Sequence, residues 1–265
     1  MKEQILSYLD PSLHGSVQYF DTIDSTNTRA KVLAAQGAPH GTVLIADRQT
    51  GGRGRRGRTF LSPPGTGIYM SVILRPHCPP SQLMHLTCAA AVAMCDAVEE
   101  SVGFRPGIKW TNDLVHGSRK LAGILTELGF SPDGLVGWAV VGVGINCLQT
   151  EADFDPAIRS FAGSIAMFAP CDRAQLAASM VNALLDMDLS QKETIMQSYR
   201  RDCITLGREV SLLRADEQPR HGKAVDITAD GALVVEFAPN VAEIINSGKS
   251  AYGECTDMFK KSYKL

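Results

Sequence analysis

Gly51, Gly52, Arg53, Gly54, Arg55, Arg56, Gly57 and Arg58 interleave four glycines with four guanidinium groups in eight residues. Glycine lets backbone N–H groups approach an anion closely, and each guanidinium brings a fork of donors matched to carboxylate or phosphate oxygens. The chemistry indicated is the handling of a phosphate ester or an acyl phosphate. Three rivals exist: a flexible Arg/Gly arm for nucleic acid, a basic run of the nuclear-localisation kind, and a variant Walker loop, whose spacing Gly52, Gly57, Arg58 and Thr59 nearly reproduce. The Walker reading fails because Arg58 replaces its lysine. It fails again because Phe60-Leu61-Ser62-Pro63-Pro64 follows in place of a helix whose N-terminus would hold phosphates. An Arg/Gly arm is normally terminal or set in disordered sequence, whereas this segment is tied between two strand-like runs. On the loop alone, nucleic acid stays open.

Four further motifs carry polar groups suited to a shared site. Lys109-Trp110-Thr111-Asn112-Asp113 lies in a strand-like run over residues 108–115, where a period of two sends Lys109, Thr111 and Asp113 to one side. The plain alternative is a half-buried strand with a solvated lysine and a turn-starting Asn-Asp pair. Arg119 and Lys120 stand at the mouth of an apolar strand, where a solvated hairpin lysine is the default. Gly142-Val143-Gly144-Ile145-Asn146 has Cys147 where a dinucleotide fingerprint needs its third glycine, so tight packing near a ligand is expected there rather than a Rossmann site. Asp24-Ser25-Thr26-Asn27 is a helix cap whose hydroxyls could equally bond a small polar ligand.

These residues need a scaffold, and the pattern supplies one. A helix is expected over residues 28–36, stopped by Gly37 and Pro39, with strands over 41–46 and 68–74 flanking the Gly/Arg loop. Residues 82–102 carry apolar side chains at helical spacing and Gly103 ends them. The runs 108–115 and 121–128 read as strands joined by a polar hairpin, and 135–147 as a strand buried on both sides. One helical run covers 173–199, and the character changes at 203–207. Short strands over 209–213, 224–228, 232–237 and 241–245, with an Asp230-Gly231 turn, suggest a small barrel that leans on the larger unit.

Bulk properties narrow the function classes. With 265 residues, 45% of them hydrophobic, the chain can bury a large core; Lys+Arg 26 against Asp+Glu 28 advertises no polyanion partner for the molecule as a whole. The seven cysteines (Cys78, Cys88, Cys95, Cys147, Cys171, Cys203 and Cys255) are odd in number, scattered and free of Cys-x-x-Cys pairs, which suits a reducing cytoplasm. The first fifteen residues lack an apolar core of signal-peptide length, and no run of about 18 uninterrupted apolar residues follows, so neither export nor membrane insertion is expected.

The ordered set of D-S-T-N, G-R-G-R-R-G-R, K-W-x-N-D, R-K-L-A-G-I-L and G-x-G-I-N, from Asp21 to Asn146, resembles the biotin protein ligases. The resemblance implies an α+β fold, a mixed sheet packed by helices like the class II aminoacyl-tRNA synthetases, over residues 1–205. A small SH3-like β-barrel would follow over 206–265. It implies ATP-dependent joining of biotin to a lysine of a biotin carboxyl carrier protein or carboxylase biotin domain, through biotinyl-5′-AMP, with Mg²⁺.

By the same resemblance Ser25, Thr26, Asn27, Gln49, Gly52, Gly123 and Gly142 belong to the biotin pocket, and Arg53, Gly54 and Arg55 wrap the adenylate. Lys120 touches both the biotin carboxylate and the α-phosphate. Arg56, Arg58, Lys109, Trp110, Asn112 and Asn146 fall on the nucleotide side, and Asp113 is placed at the magnesium and as acceptor of the incoming lysine's proton. Departures from the family pattern are Thr111 for a usual proline, Phe60 for a common tryptophan and Gly51 for a frequent alanine. Only some twenty residues precede Asp24, so a ligase without a DNA-reading helix-turn-helix is expected, and a homodimer stays open. The rivals are a lipoate or octanoate ligase and a nucleic-acid-binding module.

Overall fold

The computed structural model describes residues 1–213, 219–246 and 249–251. It opens with a helix to which the sequence reading assigned nothing, α1 (Lys2–Ser7), and a 3-10 turn over Pro11–Ser16 that Asp10 caps by accepting from the Ser12 amide. β1 (Val17–Ile23), α2 (Thr26–Ala35) and β2 (Thr42–Gln49) follow. The hydroxyl that caps α2 belongs to Ser25, which accepts from the Thr28 amide at 3.4 Å, so the helix begins two residues earlier than expected. Thr26 and Asn27 thereby enter its first turn and are buried.

β3 (Gly67–Leu74) is buried throughout. α3 (Leu86–Val102) starts later than the expected residue 82, because Pro80–Leu83 forms a separate 3-10 turn and His85 stands at the N-cap. The stretch Pro80–Val102 is apolar and long enough to pass for a membrane span by composition, yet in the fold it is mostly buried and α3 packs on β6, α4 and α5, described below.

The expected single strand over 108–115 is two: β4 (Gly107–Lys109) and β5 (Asp113–His116), paired antiparallel with Lys109 opposite Asp113. The Trp110–Thr111 peptide at the turn is cis. Trp110 and Thr111 favour strands locally, but tertiary anchors override that preference. The Trp110 amide donates to Thr205 Oγ1 at 2.9 Å, and Tyr199 donates to the Thr111 carbonyl at 2.9 Å. Lys109, Thr111 and Asp113 therefore do not alternate along one strand face.

β6 (Arg119–Phe130) and β7 (Val136–Asn146) form the expected hairpin partners. The helical run over 173–199 divides into α4 (Arg173–Leu185) and α5 (Lys192–Asp202), because Asp188 accepts from the Ser190 amide and hydroxyl and closes a local turn between them.

The strands make a seven-stranded sheet in the order β1-β2-β3-β7-β6-β5-β4, parallel between β1 and β2 and antiparallel elsewhere. Alternation along the strands covers both faces. Val43, Ile45, Val72, Val141 and Val143 pack in the large core with α3 and α4, while Leu44, Ile73 and Val140 meet Ala30 and Ala34 of α2.

A second, antiparallel sheet holds β8 (Glu209–Leu213), β9 (Arg220–Ile227), β10 (Leu233–Ala238), β11 (Val241–Ile245) and β12 (Lys249–Ala251), ordered β11-β10-β9-β8-β12. The expected turn is present, with Gly231 at φ +85°, where a side chain would be strained. Cys255 and the rest of 252–265 lie outside the described residues. Val210, Leu212, Ala224, Ile227, Leu233 and Val235 join the same continuous core as the large sheet.

The fold is thus the expected α+β arrangement of a helix-packed mixed sheet with a small β unit. Polar ties reinforce the junction: the Trp110 indole N–H donates to the Gly231 carbonyl at 2.9 Å, Arg200 Nε donates to the Ile227 carbonyl at 2.9 Å, and Lys192 pairs with Asp230 at 2.5 Å. Replacing Trp110 by Phe leaves the buried Gly231 carbonyl without its donor. Stability in urea is expected to fall by about 1–3 kcal/mol.

Candidate active site

The floor of the site follows from strand register. On the α2 face of the sheet Gly123 of β6 pairs with Gly144 of β7, and Leu125 pairs with Gly142, which in turn pairs with Ser71 of β3. Three same-face positions at the middle of the sheet thus carry no side chain, and a cleft of about 450 Å³ opens over them. A Cβ on Gly142 would fall 1.8 Å from Asn27 Oδ1, and one on Gly144 would fall 2.6 Å from the Phe60 ring. These glycines are needed for space, because Asn27 and the Phe60 ring pack where their side chains would stand.

One wall is built by the first turn of α2. Gln49 at the end of β2 accepts through Oε1 from the Thr26 amide at 2.8 Å and from Thr26 Oγ1 at 3.1 Å, and donates through Nε2 to Ser62 Oγ at 3.0 Å. The Ser71 hydroxyl stands 2.8 Å from Thr26 Oγ1 and 2.6 Å from Asn27 Oδ1. Ser25, Thr26, Asn27 and Ser71 are all buried, so this wall is a preset polar network rather than a mobile fringe.

The Gly/Arg segment folds as a small hairpin against the cleft. Arg53 and Thr59 form a bridge, Gly54 N donates to the Arg58 carbonyl at 2.7 Å and Phe60 N donates to the Gly52 carbonyl at 2.9 Å. Its tip turns through Arg56 (φ +58°) and Gly57 (φ +73°). Arg53, Gly54, Arg55, Arg56 and Arg58 line the cleft. Arg55 donates to Thr111 Oγ1 and, at 3.2 Å, to Asn112 Oδ1. Burial, and then the charge of Arg56, pull the Arg55 guanidinium below its ordinary range, and a nearby anion would favour its charged form.

Opposite the loop, Lys120 Nζ pairs with Asp113 Oδ1 at 2.7 Å across the β5–β6 hairpin. Asn112 is fixed by donating to the Ile124 carbonyl at 3.0 Å. Lys109, Trp110, Asn112, Asp113, Lys120, Gly123 and Gly142 all border the same cleft, as expected.

Two expected residues do not border it. Gly52 lies behind the loop, where a Cβ would fall 2.3 Å from the Phe60 carbonyl oxygen, so its part is to let the hairpin close. Asn146 is buried beyond the floor, donating to the Gly163 carbonyl at 2.9 Å and accepting from Gln149 at 3.3 Å, which makes it a clamp on the chain after β7.

The sequence reading missed Ser71, Glu127, Phe161, Ile204 and Arg208. Ser71 and Glu127 had a signal, Ser71 as a hydroxyl on a largely apolar strand and Glu127 as the one acid on β6; Phe161, Ile204 and Arg208 reach the cleft only through tertiary folding.

Asp113 is the acidic side chain among the described residues that line the cleft, and no group of three His, Cys, Asp or Glu that could hold a metal occurs among the described residues. A dedicated metal cage is therefore not built here. One carboxylate beside a basic cleft does fit Mg²⁺ carried in on nucleotide phosphates, which needs only one or two protein carboxylates.

Residues 19–146 match the Biotin/lipoate A/B protein ligase family and residues 205–249 match the Biotin protein ligase C terminal domain. The bifunctional ligase/repressor BirA of Bacillus subtilis is 32% identical over 86% of this chain and 72% of its own length. The biotin–[acetyl-CoA-carboxylase] ligase of Mycobacterium tuberculosis is 34% identical over 80% of each chain. The biotin protein ligase of Aquifex aeolicus, solved in complex with biotin and ATP, superposes with a TM-score of 0.72 at 28% identity, over 89% of this chain and 97% of that one. With both domains matched and relatives of 32% and 34% identity covering most of its length, the chain belongs to the biotin protein ligase family.

Proposed function

We propose that the cleft activates biotin as biotinyl-5′-AMP and passes it to a lysine of a biotin carboxyl carrier protein or carboxylase biotin domain. The observation that carries this reading is the convergence of Arg53, Arg55 and Lys120 with the Ser25–Asn27 wall on one cleft. The buried polar wall suits the ring end of biotin, and the cations suit its carboxylate beside a triphosphate.

In the first step a biotin carboxylate oxygen attacks the ATP α-phosphorus, the Pα–O bond to the β-phosphate breaks, and pyrophosphate leaves. Two anions must meet and the transition state gathers more negative charge, so Arg53, Arg55 and Lys120 act by neutralising it. Lys120 has three donors and spends one on Asp113, leaving two for carboxylate and phosphate oxygens. Lys109, Asn112 and Asp113 would hold MgATP, whose metal supplies further charge neutralisation at the phosphates.

In the second step the carrier's lysine amine attacks the acyl carbon and AMP leaves, with Asp113 receiving the amine's proton. The mixed anhydride is destroyed by water, and the loop hairpin shields it. On this reading residues 1–205 form the catalytic unit and 206–265 the appended one.

The direct test is mass spectrometry of a biotin carrier domain after incubation with the chain, biotin and MgATP. Addition of one biotinyl group to a single lysine is expected, with pyrophosphate release on biotin and not on lipoate or octanoate. An unmodified carrier together with lipoate-dependent pyrophosphate release would overturn the reading.

A further inference from the structure

Glu127 stands on β6 in line with Gly123 and Leu125, on the face that floors the cleft, although it is not among the side chains lining it. Its carboxylate gathers Lys31 Nζ at 2.7 Å, Asn27 Nδ2 at 3.1 Å and Arg53 Nη1 at 3.1 and 3.2 Å to its two oxygens. The Glu127 side chain is only 19% exposed. Burial works against its charge, yet the bonds from Lys31 and Asn27 and the charge of Arg53 hold the carboxyl below its usual range, so it is ionised at neutral pH.

An exposed ion pair alone would mean little. What distinguishes this one is the third partner. Asn27 Nδ2 donates one hydrogen to the Leu125 carbonyl at 3.2 Å and the other to Glu127. Both amide hydrogens are therefore committed, and Oδ1 is left facing Ser71 and the Gly142 backbone.

We propose that Glu127 is a positioning residue that couples the two halves of the site, orienting Asn27 in the biotin wall and drawing Arg53 of the loop onto it with one carboxylate. The inference rests on the reading that Asn27 walls the biotin pocket and Arg53 wraps the adenylate. An amide cannot replace the carboxylate. Glutamine offers one oxygen and one NH₂, and the NH₂ would face either the Arg53 guanidinium or the Asn27 amide, donor against donor.

The test is a double-mutant cycle on biotin affinity, measured calorimetrically with the full chain, for wild type, Glu127→Gln, Arg53→Ala and the double variant, with Lys31→Ala alongside. Glu127→Gln is expected to weaken biotin about tenfold, while in the Arg53→Ala background the same change costs about threefold or less. Lys31→Ala is expected to stay within about twofold. In turnover, KM for biotin should rise more than kcat falls.

A folded Glu127→Gln chain with wild-type affinity overturns the proposal. So do effects that multiply independently, or an equal loss in Lys31→Ala, which would reduce Glu127 to a counter-charge. If Glu127→Gln fails to fold, Glu127→Asp, which keeps the charge and shortens the reach by one methylene, is expected to show the same loss of coupling. Wild type that binds no biotin defeats the functional reading itself, whereas weakening by Arg53→Ala without weakening by Glu127→Gln defeats only this inference.

Discussion

Lys120→Ala is expected to slow biotin-dependent pyrophosphate release by roughly 10²–10³, the usual consequence of deleting one preorganised charge stabiliser. The lysine is held for that role from two sides. Its backbone N–H donates to the Phe161 carbonyl at 2.7 Å and its carbonyl accepts from Gly163 N at 2.9 Å, while Nζ is steered over Gly123 by Asp113. The backbone contacts survive the substitution, so the fold should persist while the charge disappears. Single-turnover adenylation with quantified pyrophosphate checks it, and a near-normal rate would remove Lys120 from the chemical step.

Gly142→Ala is expected to weaken biotin binding by roughly 10²-fold at a stability cost of about 1–3 kcal/mol. The added methyl would lie 1.8 Å from Asn27 Oδ1, so the amide must leave its place among Ser71, Leu125 and Glu127. The neighbouring backbone cannot yield, because Gly142 pairs with Ser71 on one side and Leu125 on the other in the middle of the sheet. Calorimetric titration with biotin, beside urea denaturation, separates the two effects; affinity within threefold of wild type would show that Asn27 does not wall the pocket.

Much of this was legible because the chemistry is written in residue types that are costly anywhere else. Four arginines threaded with glycines between apolar strands point to an anion, and the structure turns them into a hairpin at the cleft. Small and polar residues at 25–27 and 142–144 marked the wall and floor. What local pattern could not reveal was set by distant partners. Trp110 and Thr111 read as strand, and it takes Thr205, Tyr199 and Gly231 to fold them into the turn that places Asp113 opposite Lys109. Asn146 carries a motif position yet bonds Gly163, a pairing seventeen residues away that no periodicity encodes. Glu127 was visible as the one acid on β6, but its worth lies in Arg53, 74 residues earlier.

A floor made of bare backbone has a consequence for redesign. At Gly123, Gly142 and Gly144 there is nothing to trim, since every available substitution adds atoms, so mutation there can only narrow the range of acceptable ligands. Wider scope must come from the surrounding side chains, where Met70, Ile124 and Leu125 border the cleft and can be cut back. Selection for analogues bulkier than the natural substrate should therefore accumulate changes around the rim and leave the three central glycines untouched.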